Sequence, residues 1–165
     1  MRRWIVGAFV AVLSTSTLQA ESKTGVRLDL VNYKQLSEEI HRHHGRVILV
    51  DFWGDFCRPC KEKFPYVVAL QRKYAAQGLT VITVSIDDLS DPEVRDRVHA
   101  YLQSQQAVTR NLLLNEKPEV WISKLKMNSV PTMFLFDREG QMINRWNGNE
   151  IHLDQIEKRI TELLR

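Results

Sequence analysis

A third cysteine is missing from this 165-residue chain, which holds only two. Structural zinc needs four ligands, and the usual second C-x-x-C or H-x(3–5)-H pair is absent. His41, His43 and His44 precede the cysteines, while His99 and His152 lie far away, so no metal is expected. An excess of one charge is also missing: a formal net charge of +3 is too weak to argue for nucleic acid. No dense basic patch interleaved with aromatics supports such a partner either. No apolar run reaches the roughly 20 residues of a membrane-spanning helix, and no internal repeat, long low-complexity stretch or linker divides the chain. What remains is ordinary for a globular protein, with hydrophobic and charged fractions of 44% and 26%. The length suits one domain with a sizeable core.

The first twenty residues stand apart. Arg2 and Arg3 precede the apolar run Trp4 to Leu13, which fades into Ser14-Thr15-Ser16-Thr17, and Ala20 stands before Glu21. A positive n-region, a short h-region and a small-residue site form the secretory signature. Residues 1–20 are therefore expected to be a signal peptide and 21–165 the mature domain, with an uncleaved N-terminal anchor as the alternative. No cysteine lies near the cleavage point to carry a lipid. Removing Arg2 and Arg3 takes the charge from +3 to +1. The expected location is periplasmic or otherwise extracytoplasmic.

Hydrophobic periodicity predicts an alternation of helices and strands. Val26, Leu28 and Leu30 alternate as in a half-buried strand. Asn32 and Gln35 form a capping-box pattern for a helix that ends near Gly45. Arg46 to Trp53 contains the continuous apolar run of a central strand covered on both faces. After Cys57 and Cys60, the positions Phe64, Val67, Val68 and Tyr74 mark a helix that Pro65 should kink and Gly78 should end. Leu79 to Ile86 reads as a second central strand, which makes a βαβ unit with parallel neighbours. Ser90 and Glu93 suggest another capping box, before a helix carrying Val94, Val98, Tyr101 and Leu102. A short strand at Leu112 to Leu114 and a short helix from Pro118 to Leu125 follow. A hairpin turns at Arg138-Glu139-Gly140, and a last helix carries Leu153, Ile156, Ile160 and Leu163. The fold class is α/β, with an antiparallel hairpin closing a sheet that began in parallel.

The cysteine pair sits where the buried strand turns into a helix. Outside the cytoplasm a cysteine pair is often a structural staple, but closing so short a loop restrains the unfolded chain little. Reactivity explains it better. At a helix N-terminus the unpaired N–H groups and the dipole favour a thiolate, and thiols so placed have pKa values of ~3.5–7.5. Arg58 adds positive charge. Cys60 lies one turn deeper on roughly the same face, which predicts an exposed attacker, Cys57, over a sheltered resolver.

Ile48 to Trp53 followed by Cys57-Arg58-Pro59-Cys60 resembles the active-site segment of the thioredoxin superfamily. Ser129-Val130-Pro131-Thr132 resembles that family's second landmark, a cis-proline loop facing the cysteines. The signal sequence, Phe64-Pro65 and the extra helix and strand at about 90–114 resemble the exported TlpA/ResA-like disulfide reductases. The resemblance implies a thioredoxin fold with a central helix–strand insertion. It implies catalytic Cys57 and Cys60 as the redox-active disulfide, and Asp51 as a buried acid that deprotonates the resolving thiol. Val130 and Pro131 would hold an extended substrate beside Trp53, and Phe56 stands where an aromatic commonly precedes the first cysteine. Asp51 as a simple strand end, and Pro131 as an ordinary trans turn, are the plainer alternatives. One departure is clear: many TlpA-like proteins carry Glu three residues after the second cysteine, where this chain has Lys63, with Glu62 one position earlier.

The implied activity is reduction of disulfides in exported protein substrates without a cofactor, with cytochrome c maturation one destination. A membrane thiol-reductant carrier would be the electron donor. An oxidase or isomerase working in the opposite direction, or a copper chaperone on the same fold, are the competing functions. A peroxidase would need a Thr or Ser, with its Pro, ahead of Cys57 at a spacing absent here. The three histidines at 41–44 fit a helix C-terminus better than a metal site. Arg95, Arg97, Arg110, Lys158 and Arg159 read as solvated faces, and Trp121 and Met127 as packing beneath the insertion.

Overall fold

The computed structural model describes residues 25–165, so the segment read as a signal peptide lies outside the described residues. The strands are β1 (Leu28–Val31), β2 (Val47–Trp53), β3 (Leu79–Ser85), β4 (Arg110–Leu114), β5 (Thr132–Phe136) and β6 (Met142–Asn147). The helices are α1 (Tyr33–Arg42), α2 (Arg58–Tyr74), α3 (Val94–Ser104), α4 (Pro118–Leu125) and α5 (Leu153–Leu164). One six-stranded sheet runs in the order β1-β4-β3-β2-β5-β6.

Strand β2 is the axis of this sheet. It pairs in parallel with β3 from Val47↔Leu79 to Trp53↔Ser85, and antiparallel with β5 from Ile48↔Phe136 to Phe52↔Thr132. All seven of its residues are buried, because its two faces meet separate layers. Ile48, Val50 and Phe52 pack with Leu36, Trp121 and Phe134. Val47 and Leu49 pack on the other face with Val67, Leu70 and Ile156, and Trp53 continues that face against Phe64 and Val98. A strand so enclosed needs no polar alternation, which explains its unbroken apolar run.

The expected insertion is present, and its strand takes an inner place. β4 lies between β1 and β3, parallel to both. Buried Asn111 pins it: the amide donates to the carbonyls of Arg27, Ala107 and Thr109 at 2.8–3.1 Å and accepts from the Thr83 and Thr109 hydroxyls. A buried amide satisfied in this way costs little and fixes register. Trp121 and Met127 pack on Leu112 and Leu114 of this strand, whereas α3 covers the opposite face through Val94, Val98 and Leu102.

Three expectations are corrected. Leu30 is exposed, while Leu28 and Val31 are buried, because β1 is an edge strand with an irregular burial pattern. The Asn32–Gln35 capping box forms, but the one at Ser90 and Glu93 does not: Glu93 is itself the cap residue of α3, and no side chain bonds there. Ser90 turns instead to Asp88, and Asp91 accepts the Glu93 N–H. Arg110 is no solvated charge, since it pairs with Asp29 and with Glu39 at 2.8 Å. Burial alone would raise the Glu39 carboxyl, but hydrogen bonds and charges from Arg110, Arg42 and His43 outweigh it and hold it low. His43 thus serves Glu39, and His41 bonds the Ser37 carbonyl at 2.8 Å.

Helix α5 is tied to α2 by one carboxylate. Glu157 accepts from Lys73 Nζ at 2.7 Å, from Tyr66 Oη and from Tyr74 Oη at 2.6 Å. These bonds, with Lys73 foremost, pull its pKa to about 2. A depressed carboxylate stabilises the fold above its unfolded pKa and loses that contribution as pH falls through the folded value. Glu157→Gln should therefore lower stability by about 1 kcal/mol at pH 7. In urea unfolding the gap to wild type should shrink steadily below pH 4 and close near pH 2.

Candidate active site

The turn that carries the cysteines begins where β2 leaves the sheet. Cys57 N–H donates to the Gly54 carbonyl at 3.0 Å, which closes a tight turn over Asp55 and Phe56. Cys57 is the N-cap of α2, and Pro59 occupies the first turn, where its missing N–H is no loss. In the oxidised form described here Cys57 and Cys60 are joined by a disulfide. The Cys60 N–H donates to Cys57 Sγ at 3.2 Å, so the sulfur takes one of the orphan donors that open every helix. A thiolate at this atom would be held by the same N–H and by the helix dipole.

The expected contrast in exposure is much reduced. Cys57 is 6% exposed and Cys60 2%, so both sulfurs are sheltered, with the first only slightly more open. Trp53, Phe64 and the partly buried Val130 pack in the same cluster. Phe56 instead projects outward, 70% exposed beside the buried pair.

Asp51 lies on β2 between Leu49 and Trp53. Side chains at i and i+2 of a strand share a face, which puts the carboxyl under α2. It is 3% exposed, and desolvation raises its pKa to about 7. No described residue donates a hydrogen bond to it, so burial alone sets its proton affinity. Two positions on, the Trp53 indole N–H is also buried without a partner among the described residues. The Val130–Pro131 peptide bond is cis. Among the described residues nothing hydrogen-bonds to the Val130 N–H or C=O, whereas the flanking Ser129 and Pro131 carbonyls are taken by Thr132 and Gly148.

Several residues that sequence reading passed over complete the site. Pro65 cannot donate to the Lys61 carbonyl one turn back; the Tyr101 hydroxyl from α3 reaches that orphan acceptor at 3.3 Å. The Tyr101 ring lies 5.2 Å from Trp53 and 5.3 Å from Phe64, with Trp53 and Phe64 4.9 Å apart. Burial pushes the Tyr101 phenol to about 12, and the Asp51 and Asp55 charges add to it. Asp87 accepts the Asp55 N–H through both carboxylate oxygens, at 3.0 and 2.9 Å, and takes the Ser85 hydroxyl at 2.6 Å. Arg97 is exposed, as expected, and from there pairs with Asp91 at 2.6 Å and with Asp55 at 3.5 Å. Only chain topology brings these groups together, although a Pro in a helix is a sequence sign that some other donor must serve its vacant acceptor.

Comparisons with known proteins bear on the family and the fold. The AhpC/TSA family matches residues 26–145. The thiol-disulfide oxidoreductase ResA of Bacillus thuringiensis (strain Al Hakam) is 29% identical over 121 residues, covering 71% of this chain and 65% of that protein. ResA of Bacillus subtilis (strain 168) is 26% identical over 123 residues, with 74% and 59% covered. The chain thus spans less than two thirds of the length of these two relatives. Among solved structures, a protein from Chlorobium tepidum described as a thiol:disulfide interchange protein DsbE superposes with a TM-score of 0.60 at 25% identity, covering 76% and 85%. The thioredoxin domain of a Bacteroides vulgatus thiol-disulfide oxidoreductase gives 0.61 at 20% identity, covering 76% and 84%. The thioredoxin fold expected from the sequence is therefore the observed one.

A raised carboxyl makes a signed prediction about stability. The native state holds the Asp51 proton more tightly than the unfolded chain, so stability is full below pH 4 and falls as pH rises to about 7. The rise from 3.8 to about 7 corresponds to roughly 4 kcal/mol. Asp51→Asn should stabilise the oxidised protein at pH 8 by an amount of that order, with the gain disappearing near pH 4. Denaturant unfolding at the two pH values measures it.

Proposed function

The chain belongs to the AhpC/TSA family of thioredoxin-fold proteins, and from that membership and the chemistry at Cys57 we propose that it reduces disulfides of exported proteins. The observation that carries this reading is the Cys57–Cys60 disulfide at the N-cap of α2, with Cys60 N–H aimed at Cys57 Sγ. The ResA and DsbE relatives bear names of the same chemistry, and the N-terminal sequence supports a periplasmic or otherwise extracytoplasmic site of action.

In the reduced protein the Cys57 thiolate attacks one sulfur of a substrate disulfide. A mixed disulfide forms, the substrate S–S bond breaks, and the departing sulfur leaves as a thiolate that takes a proton from solvent. Asp51 removes the proton from Cys60, a role suited to a group with a pKa of about 7 at neutral pH. The Cys60 thiolate then attacks Cys57 Sγ, forms the Cys57–Cys60 bond and releases the second substrate thiolate. The substrate gains two electrons and the protein loses two. A membrane dithiol carrier would restore the reduced pair by the same exchange. The unpartnered Val130 N–H and C=O beside Pro131 offer an extended substrate segment one strand-like pairing, with Trp53 as packing behind the sulfurs. Cytochrome c maturation is one process that needs such a reductant.

Two measurements test the proposal. Cys60→Ala should accumulate mixed disulfides with exported proteins, stable to gel electrophoresis without reductant, whereas Cys57→Ala should accumulate none. Equilibration with glutathione gives the direction: a potential near that of thioredoxin, roughly −270 mV, fits reduction. A value near about −120 mV would assign the opposite, oxidising role.

A further inference from the structure

Asp55 stands two residues before Cys57 and joins three elements. Its N–H is held by Asp87, from the segment after β3. Its carboxylate takes Lys61 Nζ at 2.6 Å, from the second turn of α2, and Arg97 Nε at 3.5 Å, from the inserted helix α3. Lys61 is four residues after Cys57 and donates its N–H to the Cys57 carbonyl at 3.2 Å, so the two side chains rise from the same helical face. Its ammonium lies 5.0 Å from the centre of the Tyr101 ring. Among the described residues no other carboxylate pairs with it, whereas Arg97 keeps Asp91 as a second partner.

We propose that Asp55 sets the redox poise of the dithiol: by holding Lys61, and secondarily Arg97, in ion pairs, it keeps their positive charge from stabilising the Cys57 thiolate. Asp55 is a positioning residue and does not touch substrate. The inference rests on the dithiol reading above and adds what governs its equilibrium. The charges around Cys57 come from every neighbouring element. The capping turn brings Asp55, and α2 brings Arg58, Lys61 and Glu62, of which Arg58 and Glu62 pair with each other at 3.1 Å in solvent. β2 brings Asp51, the segment after β3 brings Asp87, and α3 brings Arg97 and Tyr101. The loop Met127 to Pro131 brings none. Asp87 is committed to the Asp55 N–H and the Ser85 hydroxyl, which leaves Asp55–Lys61 as the pair whose balance can move.

The sign follows from electrostatics. A thiolate is favoured by nearby cations and disfavoured by nearby anions, and whatever favours the thiolate favours the reduced protein. Asp55→Asn keeps a backbone N–H for Asp87, removes one negative charge and frees the Lys61 ammonium. Lys61→Met removes the cation and leaves the anion. The two variants should therefore move in opposite directions, which a general loosening of the turn cannot produce.

The test equilibrates the folded protein with glutathione: two glutathione thiols donate two electrons and two protons to the Cys57–Cys60 disulfide and leave as one glutathione disulfide. Asp55→Asn should shift this constant about threefold toward the reduced protein, the size of a partly exposed ion-pair interaction. It should also lower the Cys57 pKa in the reduced form. Lys61→Met should shift both quantities the other way, and the double variant should return close to wild type. If wild type equilibrates with glutathione while the single variants share its constant, or move in the same direction, the role of Asp55 is overturned and the dithiol reading stands. Failure of wild type to exchange with glutathione at all would overturn both.

Discussion

One sulfur at the start of one helix is the constraint on which the rest of the molecule depends. The N-terminus of α2 leaves backbone donors without intrahelical partners, and the fold fills one of those vacancies with Cys57 Sγ instead of an Asp, Ser or Asn side chain. That substitution gives up part of an oxygen cap and gains an atom whose anion the helix end can stabilise. The cost is tolerable because α2 is secured by other means. Its apolar face packs on the most buried strand of the sheet, and Glu157 ties its last turns to α5.

Burial works against the site at its second important position. Asp51 sits in the middle of a fully enclosed strand with no donor to offset its desolvation. A hydrophobic residue there would give a more stable protein. The acid lies on the face of β2 that is covered by α2, the helix that carries the cysteines. The inserted helix α3 contributes on the same side. Tyr101 closes the aromatic layer over Trp53 and Phe64 and serves the carbonyl that Pro65 leaves open. Arg97 joins the charge cluster at Asp55. The insertion is thus structurally continuous with the redox turn, and its loss would open both the aromatic layer and the ion pairs.

Local pattern alone revealed the elements whose side chains are sorted by a regular period. The unbroken run of β2, the cap and stripe of α1, the helix α4 and the hairpin at Gly140 were all legible in this way. Cys57 and Cys60 were legible from their spacing at a strand-to-helix turn, whereas Asp51 and the Val130–Pro131 loop were singled out only through the resemblance to the thioredoxin superfamily. The errors arose where tertiary contacts decide. Leu30 alternates correctly yet faces outward at a sheet edge, and the Glu93 N–H that a Ser90 cap would have taken goes to the nearer acceptor Asp91. Arg110 looked solvated because its carboxylate partners lie on other elements; Asp29 and Glu39 are 81 and 71 residues away. The sheltering of Cys57 was missed for the same reason, since the cluster it packs in draws on α3 and on Val130, far along the chain.

The acidity of a single thiol decides whether this arrangement is catalytic or merely folded. Titrating the fully reduced protein by thiolate ultraviolet absorbance, with Cys60→Ala to assign the signal, measures it directly. A Cys57 thiol held by the α2 N-terminus should ionise well below the free-thiol value of about 8.5 and be largely anionic at pH 7. A Cys57 that stays protonated up to that value would contradict the account, leaving a thioredoxin-fold domain without an activated nucleophile.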